Sequence, residues 1–468
     1  MSQLQSQSLS FAEGGTLLLI NGTPYTWKRA AKKGYQMNSW KFPRQVKPGT
    51  VATVYLEFKR TPATTRSDTN ATCNFDLKGT KNCAIRIEVT DSPPSIDVQI
   101  QNFDTPNNPG RSWLQLGWQH DGVVCFILSG KEDCFSSSNP PRDWMQQNLQ
   151  KLGPRPLHKI CLPGTHDAGM GKITHADIIP KDIIADFTQT QSLKIAGQLQ
   201  MGSRYFDIRP DLSSGAHWTG HYTGHYGARG QKMSSVIDDI NTFTEYCAEL
   251  IIINLSHSLN SDDGWRKYNQ KEWNSLFREL LRLNHRFLVT ESESQDLSLL
   301  PLSRFIGSKH AAVVIVVEAP SDITLGTYVD KGFYLPDQLN VYNVFTNTSD
   351  CPHMVHDQLQ KMQNHMVAGD KRLFLISWTL TQQAPKVSPE ALRPPNTFEG
   401  LSKLLLWKCQ NKTIRELAYT ANKALCAQLF PRTGPAAFPN VVYIDFMENR
   451  DCAALAMAIN DKAFTNTS

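Results

Sequence analysis

ELIIINLS (249–256) and AAVVIVVEA (311–319) decide the fold of this chain. Each centres on a continuous apolar run, LIII and AAVVIVV, too short for a buried helix and rich in β-branched residues. Such runs read as strands buried on both faces, which is the habit of a parallel sheet covered by helices. Working outward, HKICLPG (158–164), RYFDIRP (204–210), AHWTGHY (216–222), RLFLISW (372–378) and NVVYIDF (440–446) repeat the pattern. Helical stretches at 191–201, 232–247, 270–284, 352–368, 399–425 and 451–462 alternate with them. Such alternation over some 300 residues predicts an α/β fold, an irregular (β/α)8 TIM-type barrel. The loop-rich stretch 320–350 lies over one end of it.

The first part of the chain follows another rule. TLLLING (16–22), TVATVYLEF (50–58), AIRIEVT (84–90), SIDVQIQNF (95–103) and GVVCFIL (122–128) are short strands punctuated by Gly, Pro, Asn and Asp. They predict a small all-β, sandwich-like domain. The polar loop 59–72 interrupts it. The Ser/Pro-rich stretch 136–145 reads as the linker, so the expected domains are 1–140 and 141–468.

With 468 residues the chain can bury large cores without staples. A net charge of +5 without a dense Lys/Arg run argues against nucleic acid as a partner and suits an anionic small substrate or membrane surface. The ten cysteines contain no CxxC, so zinc and dithiol readings lose their signal, while Cys73/Cys83 and Cys125/Cys134 could close short loops. The polar start MSQLQSQSLSFAEGG has no apolar signal segment. The expected location is therefore cytoplasmic or peripheral to a membrane, unless a signal has been removed. Core packing accounts for most of Tyr25, Trp27, Tyr35, Trp40, Trp113 and Trp118, while aromatics with a few Lys and Arg also suit a carbohydrate site or a membrane interface, and docking of the first domain on membranes is the expected role.

Polar residues gather where the barrel strands end: His166 and Asp167 after ICLPGT, Asp207 and Arg209 in RYFDIR, His221 in AHWTGHY, Asp445 in VVYID. In a parallel barrel these share the carboxyl-end mouth. Two imidazoles, several carboxylates and one guanidinium suit phosphodiester cleavage, with one imidazole as base, the other as acid and the arginine on phosphate oxygens. His257, Glu318 and Trp378 also end strands and are candidate head-group contacts, as are His225 and Arg204, the last of which also reads as a support of its loop through packing and ion pairing. TGHY occurs twice in TGHYTGHYGARGQ, so His221 is the favoured acid and His225 the alternative.

LPGTHDAGM (162–170), GSRYFDIRP (202–210) and TGHY (219–222), in this order, resemble the X domain of bacterial and fungal phosphatidylinositol-specific phospholipases C. The resemblance covers roughly 157–450. It implies His166 as the base on the inositol 2-hydroxyl, Asp445 as its orienting carboxylate, and His221 paired with Asp167 as the acid. It implies Arg209 on the phosphate, in place of the calcium-binding acid of the animal enzymes, with Asp207 orienting it. No metal or other cofactor is then expected. The implied partner is a phospholipid with an inositol head group, met by peripheral contact with a membrane. Two other readings are a metal-dependent glycerophosphodiester or sphingomyelin phosphodiesterase, which Arg209 disfavours, and a catalytically silent lipid-binding barrel.

Overall fold

The continuous apolar runs become strands with both faces covered. The computed structural model describes residues 14–176, 181–290, 295–383 and 412–464. The chain divides into two compact units, Met1–Asn139 and Pro140–Ser468.

In the second unit eight parallel strands form one sheet: β1 (Leu162–Thr165), β2 (Tyr205–Ile208), β3 (Leu250–Leu255), β4 (Ala312–Val317), β5 (Phe333–Tyr334), β6 (Val341–Asn343), β7 (Leu373–Trp378) and β8 (Val441–Ile444). Their spatial order is β5-β4-β3-β2-β1-β8-β7-β6, which is chain order wrapped around a ring. The seam lies between β5 and β6, which do not pair with each other. The architecture is a mixed α/β fold with the parallel sheet curled into a half-barrel.

Strand periodicity divides the side chains between two cores. Phe206, Ile208, Ile251, Ile253, Val313 and Ile315 face helices α1 (Met233–Tyr246) and α2 (Gln270–Leu280), which contribute Ile237, Ile240, Trp273 and Phe277. Leu162, Tyr205, Ile252, Val314, Leu375, Val441 and Tyr443 belong to the other core, on the inner face. Helices α3 (Cys351–Val367), α4 (Ile414–Leu429) and α5 (Asp451–Phe464) complete the alternation. The capping box of Asn269 with Glu272 marks where α2 starts. The expected helix at 399–425 is described only from Ile414 onward, and its first part lies outside the described residues.

One expected barrel strand is not in the barrel. AHWTGHY belongs to Ala216–Thr223, which pairs antiparallel with Pro210–Ser213 and Tyr226–Lys232 in a separate five-stranded sheet. Its residues alternate between polar and aromatic rather than forming an apolar run, and its burial is interrupted accordingly. That pattern belongs to an antiparallel strand with one wetter face. HKICLPG likewise starts as a short 3-10 turn at Leu157–Lys159 before β1.

The first unit is built from two sheets around a core of its own. Gly14–Gly22 runs between Val51–Phe58 and Val123–Ser129 in the five-stranded sheet. Asn70–Lys78, Ala84–Asp91 and Pro94–Gln101 lie consecutively in the six-stranded one. Leu17, Leu19, Val54 and Phe126 of the first sheet meet Phe75, Ile85, Ile87 and Val98 of the second. Thr26–Tyr35 is a strand that hydrophobic patterning misses, because its sequence TWKRAAKKGY has little apolar alternation. Part of the expected loop 59–72 also belongs to a strand, since Asn70–Lys78 begins within it. Trp27 is fully buried and donates from Nε1 to Thr23, so it is a core residue and not an exposed aromatic. Tyr35 and Trp113 are exposed. No disulfide joins Cys73 to Cys83 or Cys125 to Cys134, so neither short loop is closed. Among the described residues, no helix is long and apolar enough to cross a membrane.

Candidate active site

Register places the chemistry. Thr165 pairs with Phe206 and with Ile444, so His166, Asp207 and Asp445, one residue on, form one row across β2, β1 and β8. Asp207 pairs in turn with Asn254. Counting by twos along the inner face extends the same side of the sheet to Arg209, Ser256 and Glu318. The second residue past each of β1, β3 and β8 is left-handed: Asp167 at φ 38, His257 at φ 50 and Phe446 at φ 50. Such backbone costs about 1–3 kcal/mol per residue and gathers at functional sites.

His166 is held at both nitrogens. Nδ1 lies 2.7 Å from Asp445 Oδ1, and Nε2 lies 2.8 Å from Arg209 Nη2. A guanidinium only donates, so Nε2 is the acceptor and the ring proton sits on Nδ1, facing Asp445. Burial pulls the pKa of His166 down, but Asp445 outweighs it and the net shift is upward.

Two buried aspartates in this site have opposite fates. Asp207 accepts from Ser256 Oγ at 2.6 Å, Tyr443 OH at 2.7 Å, the Asp167 amide at 3.1 Å and Arg209 Nε at 3.2 Å. Burial alone would raise its pKa, but Arg209 foremost, then His166 and the two hydroxyls, hold it well below the carboxylate range. Asp167 is fully buried, and neither of its carboxyl oxygens has a hydrogen-bond partner. Burial pushes its pKa up to about 7, although Arg209 opposes the shift. Its Oδ2 lies 3.6 Å from both Arg209 Nη1 and His221 Nδ1.

His221 comes to the site from the antiparallel sheet. Its ring centroid is 6.5 Å from that of His166. Nδ1 lies 3.0 Å from the Thr188 carbonyl, so that carbonyl, rather than Asp167, takes the hydrogen bond. Burial and the Arg209 charge push the pKa of His221 down to about 3. Close packing fixes this strand: a Cβ on Gly169 of LPGTHDAGM would stand 2.2 Å from Thr219 Cβ, and Thr219 donates to the Gly169 carbonyl at 3.0 Å.

The structure thus gathers His166, Asp167, Asp207, Arg209, His221 and Asp445. Glu318 stands on the same face of the sheet, accepting from Asn254 at 3.0 Å, and burial raises its pKa. His257 is exposed, with Nδ1 2.9 Å from Ser256 Oγ. His225 is exposed in the turn between Ala216–Thr223 and Tyr226–Lys232 and packs edge-on against Trp265. Of the two TGHY histidines, His221 is the one beside His166.

Two expected head-group contacts are corrected. Trp378 has the outward parity of β7. It is fully buried and donates to the Ala421 carbonyl of α4 at 2.8 Å, so it is a packing residue. Arg204 precedes β2 at the end opposite the mouth. It is fully buried, lies 2.7 Å from Glu249 and donates to the Ser203 carbonyl at 2.7 Å. Sequence reasoning missed Tyr443, Ser256 and Asn254: Tyr443 stands two residues before Asp445 on its own strand, whereas Asn254 and Ser256 are reached only through the pairing of Asp207 with Asn254. Thr188 carried no signal, because its carbonyl is what matters. Among the described residues, no group of three His, Cys, Asp or Glu side chains is arranged to hold a metal ion.

Fold and site together define a half-barrel α/β protein with a His/His/Arg/Asp cluster at the carboxyl ends of its strands. No family model matches the chain. The chain is 31% identical over 111 residues to a PI-PLC X domain-containing protein of Dictyostelium discoideum, which covers 22% of this chain and only 19% of that relative. It is 24% identical over 287 residues to PI-PLC X domain-containing protein 3 of Bos taurus, which covers 57% of this chain and 83% of the relative. A solved phosphatidylinositol-specific phospholipase C from Staphylococcus aureus aligns at 14% identity and a TM-score of 0.47, over 70% of this chain and 98% of that one. These sequence matches are to PI-PLC X domain-containing proteins and support a PI-PLC X-domain-like family.

Proposed function

We propose that this chain is a metal-independent, phospholipase C-like phosphodiesterase that cleaves phosphatidylinositol-type lipids. The observation that carries the reading is Arg209, paired with Asp207 and Asp167 and reaching from His166 toward His221. It supplies a fixed positive charge where a phosphodiester anion would sit between two imidazoles.

In this reaction the inositol 2-hydroxyl gives its proton to His166 Nε2 as its oxygen bonds to phosphorus. Asp445 stabilises the imidazolium that forms. The bond from phosphorus to the diacylglycerol oxygen breaks, and His221 donates a proton to that oxygen from Nε2. The products are diacylglycerol and a 1,2-cyclic inositol phosphate, and a slower second step opens the cyclic ester with water. Below about pH 7 Asp167 holds a proton beside His221. The arriving phosphate anion favours protonation of the His221 imidazole from solvent at Nε2, while Nδ1 stays on the Thr188 carbonyl. Arg209 neutralises the equatorial phosphate oxygens.

The test is hydrolysis of phosphatidylinositol vesicles by wild type, His166→Ala and His221→Ala, with products read by phosphorus NMR. Each substitution should lower kcat by about three powers of ten, non-additively. A cyclic phosphate should appear first, at a rate that EDTA leaves unchanged. Full activity in both variants overturns the residue roles. Activity lost in EDTA and restored by calcium or magnesium overturns metal independence.

A further inference from the structure

Almost all of the net charge of +5 lies in the first unit, and there it is concentrated. Between Glu13 and Glu57 the chain carries seven Lys and Arg and no acid. Four of them lie on Thr26–Tyr35, which borders the short strand Gln45–Val46 on one side and Asn70–Lys78 on the other. Gln45–Val46 pairs only with Trp27 and Lys28, the Arg29 amide donates to the Arg44 carbonyl, and among the described residues no strand pairs with that edge beyond Arg29. Lys28, Lys32, Lys33, Lys41, Arg44 and Lys47 are all exposed. Four other cations of the unit have carboxylate partners: Arg60 and Arg66 on Asp91, Lys78 on Asp76, Arg86 on Glu88. No carboxylate of the described residues lies within ion-pair distance of these six.

We infer that this basic edge is a docking surface for an anionic phospholipid bilayer. A ten-residue strand extends about 30 Å, long enough to meet many head groups at once. Unpaired Lys and Arg near an anionic bilayer each contribute about one kcal/mol, a severalfold gain in binding per residue. Tyr35, 54% exposed at the end of the strand, is an amphipathic ring of the kind that sits at head-group level. The choice of lipid over another polyanion rests on the proposed function.

The competing account is edge protection. Lysines on an open strand edge, including Lys32, which pairs with buried Cys73, discourage sheets from joining. Co-sedimentation of the full chain with phosphatidylcholine vesicles, with and without phosphatidylserine, separates the two. Binding should require phosphatidylserine and fall as salt rises. Lys32→Ala/Lys33→Ala should weaken it by on the order of tenfold. Lys41→Ala/Lys47→Ala, which leaves that strand intact, should weaken it similarly. Unchanged binding in both variants, equal binding to neutral vesicles, or retention on RNA without vesicle binding overturns the inference. So does a lysine variant that aggregates yet keeps its vesicle affinity. Sedimentation needs no turnover, so wild-type protein that binds anionic vesicles but hydrolyses no lipid overturns the catalytic reading and leaves this surface standing.

Discussion

His166 takes its character from two neighbours that pull in opposite directions. Asp445 favours the imidazolium, while Arg209 disfavours it and occupies Nε2. As base, His166 must be neutral, so activity falls as pH drops through its raised pKa. Asp445→Asn removes the carboxylate that raises that pKa. The acid limb of the pH–rate profile should therefore move to lower pH while kcat drops by about two to four powers of ten. The alkaline limb reports the proton held by Asp167 and His221. With Asp167 at about 7, activity should decline above neutrality, giving a narrow bell. Asp167→Asn removes the carboxylate that becomes negative beside His221 above about pH 7 and helps the imidazole keep its proton, so the alkaline limb should shift to lower pH. A profile unchanged by either substitution would separate these carboxylates from catalysis.

At the scale of elements, the unusual feature is that one imidazole comes from the parallel sheet and the other from an antiparallel one. Gly169 sets their spacing, because Thr219 packs where its side chain would be. Gly169→Ala should force the Ala216–Thr223 strand away from His166. Overpacking of this kind typically costs about 1–3 kcal/mol, and kcat should fall although no reacting group has changed. Thermal unfolding and turnover, measured together, check both effects. Arg204 gives the opposite signature. Removing one partner of its fully buried ion pair with Glu249 should cost about 3–5 kcal/mol, while KM of the folded protein stays as it was. A raised KM without lost stability would return Arg204 to the head group.

At the scale of the whole molecule, each unit carries its own core. Trp27, fully buried among residues of the first unit, can be cut to alanine without touching the half-barrel core. Trp27→Ala should lower the stability of the first unit by about 3–5 kcal/mol. Turnover of a short-chain, monomeric substrate should be unchanged, as calorimetry paired with such an assay would show.

Much of this was legible in the chain, and the reasons differ by element. ELIIINLS and AAVVIVVEA announced buried parallel strands because each holds consecutive apolar, largely β-branched residues with no alternation to a polar face. LPGTHDAGM and RYFDIRP announced the site because polar residues cluster where apolar strands end. Thr26–Tyr35 was hidden, since its pairing comes from Asn70–Lys78 and not from its own pattern. AHWTGHY was misassigned because its length and its position in the chain suit either sheet.

By itself the sequence determined the two regimes of the chain, the alternation of strand and helix, and the residue types brought to the mouth. Tertiary structure decided which of them meet. Register put His166, Asp207 and Asp445 in one row. Side-chain parity turned Trp378 and Arg204 away from that row. The antiparallel sheet delivered His221 rather than His225. The physical reason is that strand identity is a local property of hydrophobic pattern, whereas register and partner choice arise from contacts between residues distant in the chain.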